Sequence, residues 1–148
     1  SQSGAKTLLE AQEAKLDTVA RKLAIQPGER VLDVGCGWGS FSIRAAKEFG
    51  ANVVGITLSK PQADEATRRA EAAGVGDRTE FRVMDYRDLV GEQFDAISSI
   101  GMAEHVGAVQ IDEYARTLAA LLEPGGRLLN HAIARLCRLQ QRAETGPH

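Results

Sequence analysis

Apolar residues recur along this chain in two rhythms, one suited to helices and one to buried strands, and the two alternate. Over residues 3–25, Leu8, Leu9, Leu16, Val19, Ala20 and Leu23 fall near one face at helical spacing. Thr7 and Glu10 stand at capping-box spacing, so the regular helix is placed from Thr7, and Pro27-Gly28 closes it. Residues 30–34 read as a first strand. Residues 40–49 follow as a short helix with Phe41, Ala45, Ala46 and Phe49 inward. Residues 52–56 form a continuous apolar run, the pattern of a strand covered on both faces. Ser59 and Gln62 again have capping-box spacing, and Pro61 suits the first turn of a helix running to Ala73. Its inner face is small: Ala63, Ala66, Ala70 and Ala73. Two further strands are predicted over 79–84 and 94–99, then a loop over 101–107 and a helix over 109–122 burying Ile111, Tyr114, Leu118 and Leu121. Pro124-Gly125-Gly126 reads as a turn before a fifth strand at 127–132.

Strands alternating with helices predict an α/β fold with a doubly wound, mostly parallel sheet of about five strands. Right-handed crossovers then bring the carboxyl ends of the strands to one edge, where ligands of such sheets bind. Residues 1–135 make one domain, and 136–148 a polar, poorly patterned tail. The composition agrees: 148 residues, 43% hydrophobic and 26% charged. A net charge of −2 argues against a sequence-independent nucleic-acid binder, which needs surplus cations. No membrane-length apolar run or secretory leader is seen, and two cysteines make neither a disulfide framework nor a metal cluster. The expected setting is cytoplasmic, and no metal site is expected.

The candidate chemistry sits where the first strand meets its helix. Asp33-Val34-Gly35-Cys36-Gly37-Trp38-Gly39 places an acid and three alternate glycines at that junction. Dinucleotide binding would need a glycine at position 40 or 42, and both are serine. The second strand ends in Ile56-Thr57, without the acid that holds a ribose. No Gly-Lys-Ser/Thr follows, so a P-loop is excluded as well. Acid-x-Gly-x-Gly-x-Gly after a strand is the arrangement of S-adenosylmethionine-dependent methyltransferases, and a Rossmann-like class I methyltransferase core is the expectation. The methionine end of that cofactor carries a carboxylate and an ammonium. Free amides of the turn suit the first, and Asp33 suits the second. The alternative for Asp33 is a carboxylate that only caps the turn.

Four segments together narrow the reading: residues 35–39, Thr57-Leu58-Ser59-Lys60-Pro61-Gln62, Asp85-Tyr86-Arg87-Asp88 and Met102-Ala103-Glu104-His105-Val106-Gly107. They resemble the cyclopropane-fatty-acyl-phospholipid synthase family, which includes the mycolic acid cyclopropane synthases, over about residues 6–135. The resemblance implies methyl transfer from S-adenosylmethionine to a cis double bond of an unsaturated phospholipid acyl chain, with peripheral membrane contact. It implies that Thr57, Leu58, Ser59 and Gln62 replace the ribose carboxylate, while Ser59 and Gln62 can also cap their helix. It places Asp85 and Tyr86 beside the adenine, and Trp38 beside the cofactor or in the core. After methyl transfer the family uses bound bicarbonate as base, held by groups matching Glu104, His131 and the Ile133 backbone. The chain departs from the family in lacking an upstream cover, a downstream insertion and further strands, which predicts weak cofactor binding and little turnover for these residues alone. A small-molecule O- or N-methyltransferase and a non-catalytic cofactor-binding remnant are the competing readings.

Overall fold

A computed structural model describes residues 2–99 and 108–130. The element order is α1 (Gln2–Lys22), β1 (Arg30–Val34), α2 (Ser40–Phe49), β2 (Asn52–Thr57), α3 (Lys60–Ala72), β3 (Thr79–Val83), a single 3-10 turn (Tyr86–Asp88), β4 (Phe94–Ser99), α4 (Ala108–Ala119) and β5 (Leu122–Asn130). The strands form one sheet in the order β3-β2-β1-β4-β5, every pair parallel. The chain starts at the central strand, builds outward through β2 and β3, and then crosses to the far side of β1. The switch point therefore lies between β1 and β4, and the ligand edge is the one where β1 and β2 end.

Each sheet face carries its own core. One face takes Val31 and Val53 together with Val19 of α1 and Leu23 just beyond it, Phe41, Ala45 and Ala46 of α2, and Ala70 of α3. The other takes Leu32, Val34, Val54, Ile56 and Ile97 with Tyr114 and Leu118 of α4. Alternation along β1 and β2 feeds both layers, so the positions between their ends are apolar apart from Asp33 and Gly55. The alanine face of α3 is buried at Ala63, Ala66 and Ala70, which lets that helix lie close on β2 and β3.

The structure departs from the sequence reading in the extent and burial of α1, which starts at Gln2 and not at Thr7, and in the start of β5. Helix α1 ends at Lys22, before Pro27-Gly28, because the chain turns at Ala24 with a φ of +52°. Leu8 and Leu9 share the apolar stripe but stay 63% and 55% exposed, since the sheet lies beneath only the second half of the helix. Strand β5 begins at Leu122, so Pro124-Gly125-Gly126 is taken into the strand span. Between the pairs Phe94↔Leu122 and Ala96↔Arg127 the register shifts, and the extra residues bulge out. An edge strand tolerates this, because proline's missing N–H faces no neighbour there.

Candidate functional site

The carboxyl ends of β1, β2 and β3 meet at a cleft of about 450 Å³. Its walls are Gly35 and Gly37 from the first turn, Thr57, Leu58, Ser59 and Gln62 after β2, and Asp85 and Tyr86 after β3. The topology thus brings together three segments singled out in the sequence. Val34, Ile56 and Met84 line the floor and were missed as site residues. Their only signal was position, as the last apolar residues before each loop. A larger cleft of about 850 Å³ opens at the opposite, amino edge of the sheet. Its charged groups Arg30, Glu92 and Asp95 are already bonded: Arg30 pairs with Glu92 at 2.7 Å, and the Arg30 amide donates to Asp95 at 2.8 Å.

The glycine turn is clamped at its base and open at its tip. The amides of Gly35 and Cys36 both donate to the Ile56 carbonyl at 2.9 Å, and the Gly39 amide donates to the Cys36 carbonyl at 3.0 Å. Among the described residues the amides of Gly37 and Trp38 have no backbone acceptor, which leaves two donors of the turn unspent. Gly35, Gly37 and Gly39 hold φ values of +71°, +57° and +88°, a left-handed run that side chains resist.

The loop after β2 is braced by its own side chains. Thr57 donates from Oγ1 to Gln62 Oε1 at 2.9 Å and accepts from the Ser59 amide at 3.1 Å. Ser59 Oγ accepts from the Gln62 amide at 3.3 Å and caps α3. Only half of the expected capping box forms, because Thr57 takes the Ser59 amide that the Gln62 side chain would have bonded. The Ser59 hydroxyl and the Gln62 side-chain amide remain at the cleft wall as donors.

At the third wall Asp85 caps the 3-10 turn by accepting from the Arg87 amide at 2.9 Å. The Arg87 guanidinium bonds both Asp85 oxygens, at 3.0 and 2.8 Å, and holds its carboxyl below the usual range. Tyr86 meets Tyr114 edge to face, with ring centroids 4.8 Å apart, and the Tyr114 hydroxyl hydrogen-bonds Ser99. Tyr114 is therefore a support of the site, where the sequence pattern showed only a buried helical residue.

Four expected cofactor residues lie off this lining. Asp33 is 2% exposed and accepts from Ser42 Oγ of α2 at 2.8 Å. Burial pushes its carboxyl up to about 7. Cys36 is buried, and burial with the Asp33 charge nearby pushes its thiol up to about 12. Trp38 is 49% exposed, which removes the core alternative for it. Gly39 faces the protein interior: a Cβ there would come within 2.8 Å of Ala66 and 3.2 Å of Phe81. Glu104, His131 and Ile133 lie outside the described residues.

Comparison with known proteins fits this geometry. The mycolic acid cyclopropane synthetase family model matches residues 2–147. A probable fatty acid methyltransferase of Pseudomonas putida is 43% identical over 128 residues, covering 86% of this chain and 32% of the relative. The cyclopropane-fatty-acyl-phospholipid synthase of Escherichia coli K12 is 43% identical over 129 residues, covering 87% and 32%. Among solved structures, a mycolic acid cyclopropane synthase complexed with SAH and CTAB superposes with a TM-score of 0.76 at 31% identity, covering 94% of this chain and 54% of that one. The chain spans about a third of the length of the two relatives named.

Proposed function

Because the chain belongs to the mycolic acid cyclopropane synthetase family, we propose that it forms the cofactor-binding core of an S-adenosylmethionine-dependent C-methyltransferase. The acceptor is the cis double bond of an unsaturated phospholipid acyl chain. The observation that carries this reading is the cleft at the carboxyl edge, which Gly37 of the turn lines together with the Thr57–Ser59–Gln62 brace.

The residues present fit the cofactor. The Gly37 and Trp38 amides suit the methionine carboxylate. Asp33, buried beneath the turn with its carboxyl raised to about 7, would be drawn toward its ionised form by the ammonium. Ser59 Oγ and the Gln62 side-chain amide can bond a ribose diol without adding charge, in place of the usual carboxylate after β2. Asp85 can accept from the adenine amine, and Tyr86, fixed by Tyr114, packs beside the ring. When bound, the cofactor supplies a methyl group on an electrophilic sulfonium. The chain orients it and, with Leu58, Met84 and Tyr86, keeps the cleft partly apolar.

Glu104, His131 and the Ile133 backbone are proposed to hold the bicarbonate base; support for this is family membership and the matching sequence. Substrate access is proposed to be peripheral, since among the described residues no helix is long and apolar enough to cross a membrane. Calorimetry with S-adenosylhomocysteine tests the core of the reading. One saturable site is expected, with affinity falling about tenfold in Gln62→Ala, and no binding by the parent chain would overturn it. The O- or N-methyltransferase alternative predicts that Glu104→Gln and His131→Ala leave product formation intact, whereas the lipid reading predicts loss of the cyclopropane product, whose ring closes only when the base removes a proton after methyl transfer.

A further inference from the structure

We propose that Phe81 is a positioning residue for the cofactor site: its ring fixes the glycine turn over β2 although it forms no part of the cleft. The proposal rests on the cofactor reading above. Phe81 lies on β3 directly opposite Gly55 of β2. A Cβ on Gly55 would lie 2.8 Å from Phe81 Cδ1 and 3.0 Å from the Cβ of Cys36. A Cβ on Gly39 would lie 3.2 Å from Phe81 Cζ and 2.8 Å from the Cβ of Ala66. The ring therefore occupies the space that two glycines leave, one in the strand below the turn and one at its far end.

This assigns Gly39 a role distinct from ligand approach. The missing side chain lets α3 and Phe81 close on the end of the turn. The base of the turn is already tied to Ile56 by two hydrogen bonds. With the ring against Gly39, both ends are held, and the Gly37 and Trp38 amides keep one aim. Removing the ring frees the far end, which swings the amides away from a bound carboxylate.

The sequence holds a single tryptophan, Trp38, inside this turn, and its fluorescence reports the turn directly. The experiment compares Phe81→Ala and Phe81→Leu with Leu23→Ala, a cavity in the same core cluster at the end of α1. Each variant is titrated with S-adenosylhomocysteine well below its unfolding temperature. The expected result is about tenfold weaker binding in Phe81→Ala, partial recovery in Phe81→Leu and parental affinity in Leu23→Ala. Equal losses in Phe81→Ala and Leu23→Ala, or no loss in Phe81→Ala, would overturn the proposal. If the parent chain does not bind the ligand, the cofactor reading fails, and ligand-free Trp38 emission decides this one. A shift in Phe81→Ala absent from Leu23→Ala supports positioning, and no shift overturns it.

Discussion

The carboxyl group of Asp33 loses its water on folding and gains the Ser42 hydroxyl in return. One neutral donor does not compensate a buried negative charge, so burial raises its pKa from 3.8 to about 7. The folded state then holds a proton more tightly than the unfolded state between these two values. By linkage this contribution is fully present below about 4 and is lost as pH rises through about 7. Asp33→Asn keeps an acceptor for Ser42 and never ionises. Its melting temperature should rise relative to the parent between pH 5 and pH 8, by an amount worth up to about 4 kcal/mol at the upper end. A variant that is less stable than the parent at pH 8 would show that the carboxylate is stabilising where it lies. The sequence marked Asp33 as a site acid by its place before the glycines. Its burial could not be read there, because Ser42, nine positions on, looks like any polar residue in a helix.

Helices α1 and α2 show what elements reveal and what they hide. The apolar face of α2 was legible, and Phe41, Ala45 and Ala46 are buried as that pattern requires. The same pattern on α1 extends past the sheet, so Leu8 and Leu9 carry the periodicity without the burial. What joins the two helices has no periodic signature. Arg44 of α2 forks onto Asp17 of α1 at 2.8 and 3.1 Å, with Glu13 at 3.2 Å and Glu48 at 3.6 Å around it. The hydrogen bond from Arg44 holds the Asp17 carboxyl below its ordinary value. Both partners are partly exposed, so the geometry warrants no more than about 1 kcal/mol. Arg44→Met should lower stability by about that amount in low salt at pH 7. The difference should shrink in high salt, and as pH falls through the depressed Asp17 pKa, which parallel denaturant titrations would measure. An undiminished loss in high salt would trace it to packing of the arginine stem.

At the scale of the whole molecule, strand alternation gave the sheet and the glycines gave its ligand edge, while the turn after α1 is tied to β5 at the amino edge by a long-range side chain, Arg127. Arg127 begins the part of β5 paired beyond the bulge, and the sequence reading placed the fifth strand from this residue. Its guanidinium reaches back to the Leu23 carbonyl at 2.7 Å, the Ala24 carbonyl at 3.2 Å and Glu29 at 2.6 Å. These partners lie about 100 residues earlier, where α1 turns toward β1. The positive φ at Ala24 and the Glu29 bond to the Gln26 amide shape that turn so that both carbonyls face the arginine. Such a contact leaves no trace in local pattern, because an arginine opening a strand is equally consistent with a solvated edge. Arg127→Met preserves the stem but removes the guanidinium from two carbonyls and a carboxylate, of which the Ala24 carbonyl and Glu29 keep bonds from Gln26. Charge-assisted bonds of this kind contribute roughly 1–3 kcal/mol together, so the denaturation midpoint should fall accordingly. The cleft lies at the other end of the strands, and affinity for S-adenosylhomocysteine should be unchanged. If affinity fell with stability, the amino-edge closure would be coupled to the glycine turn through β1 and β2, whose Asn52 amide bonds the Glu29 carbonyl and whose Ile56 carbonyl holds the turn.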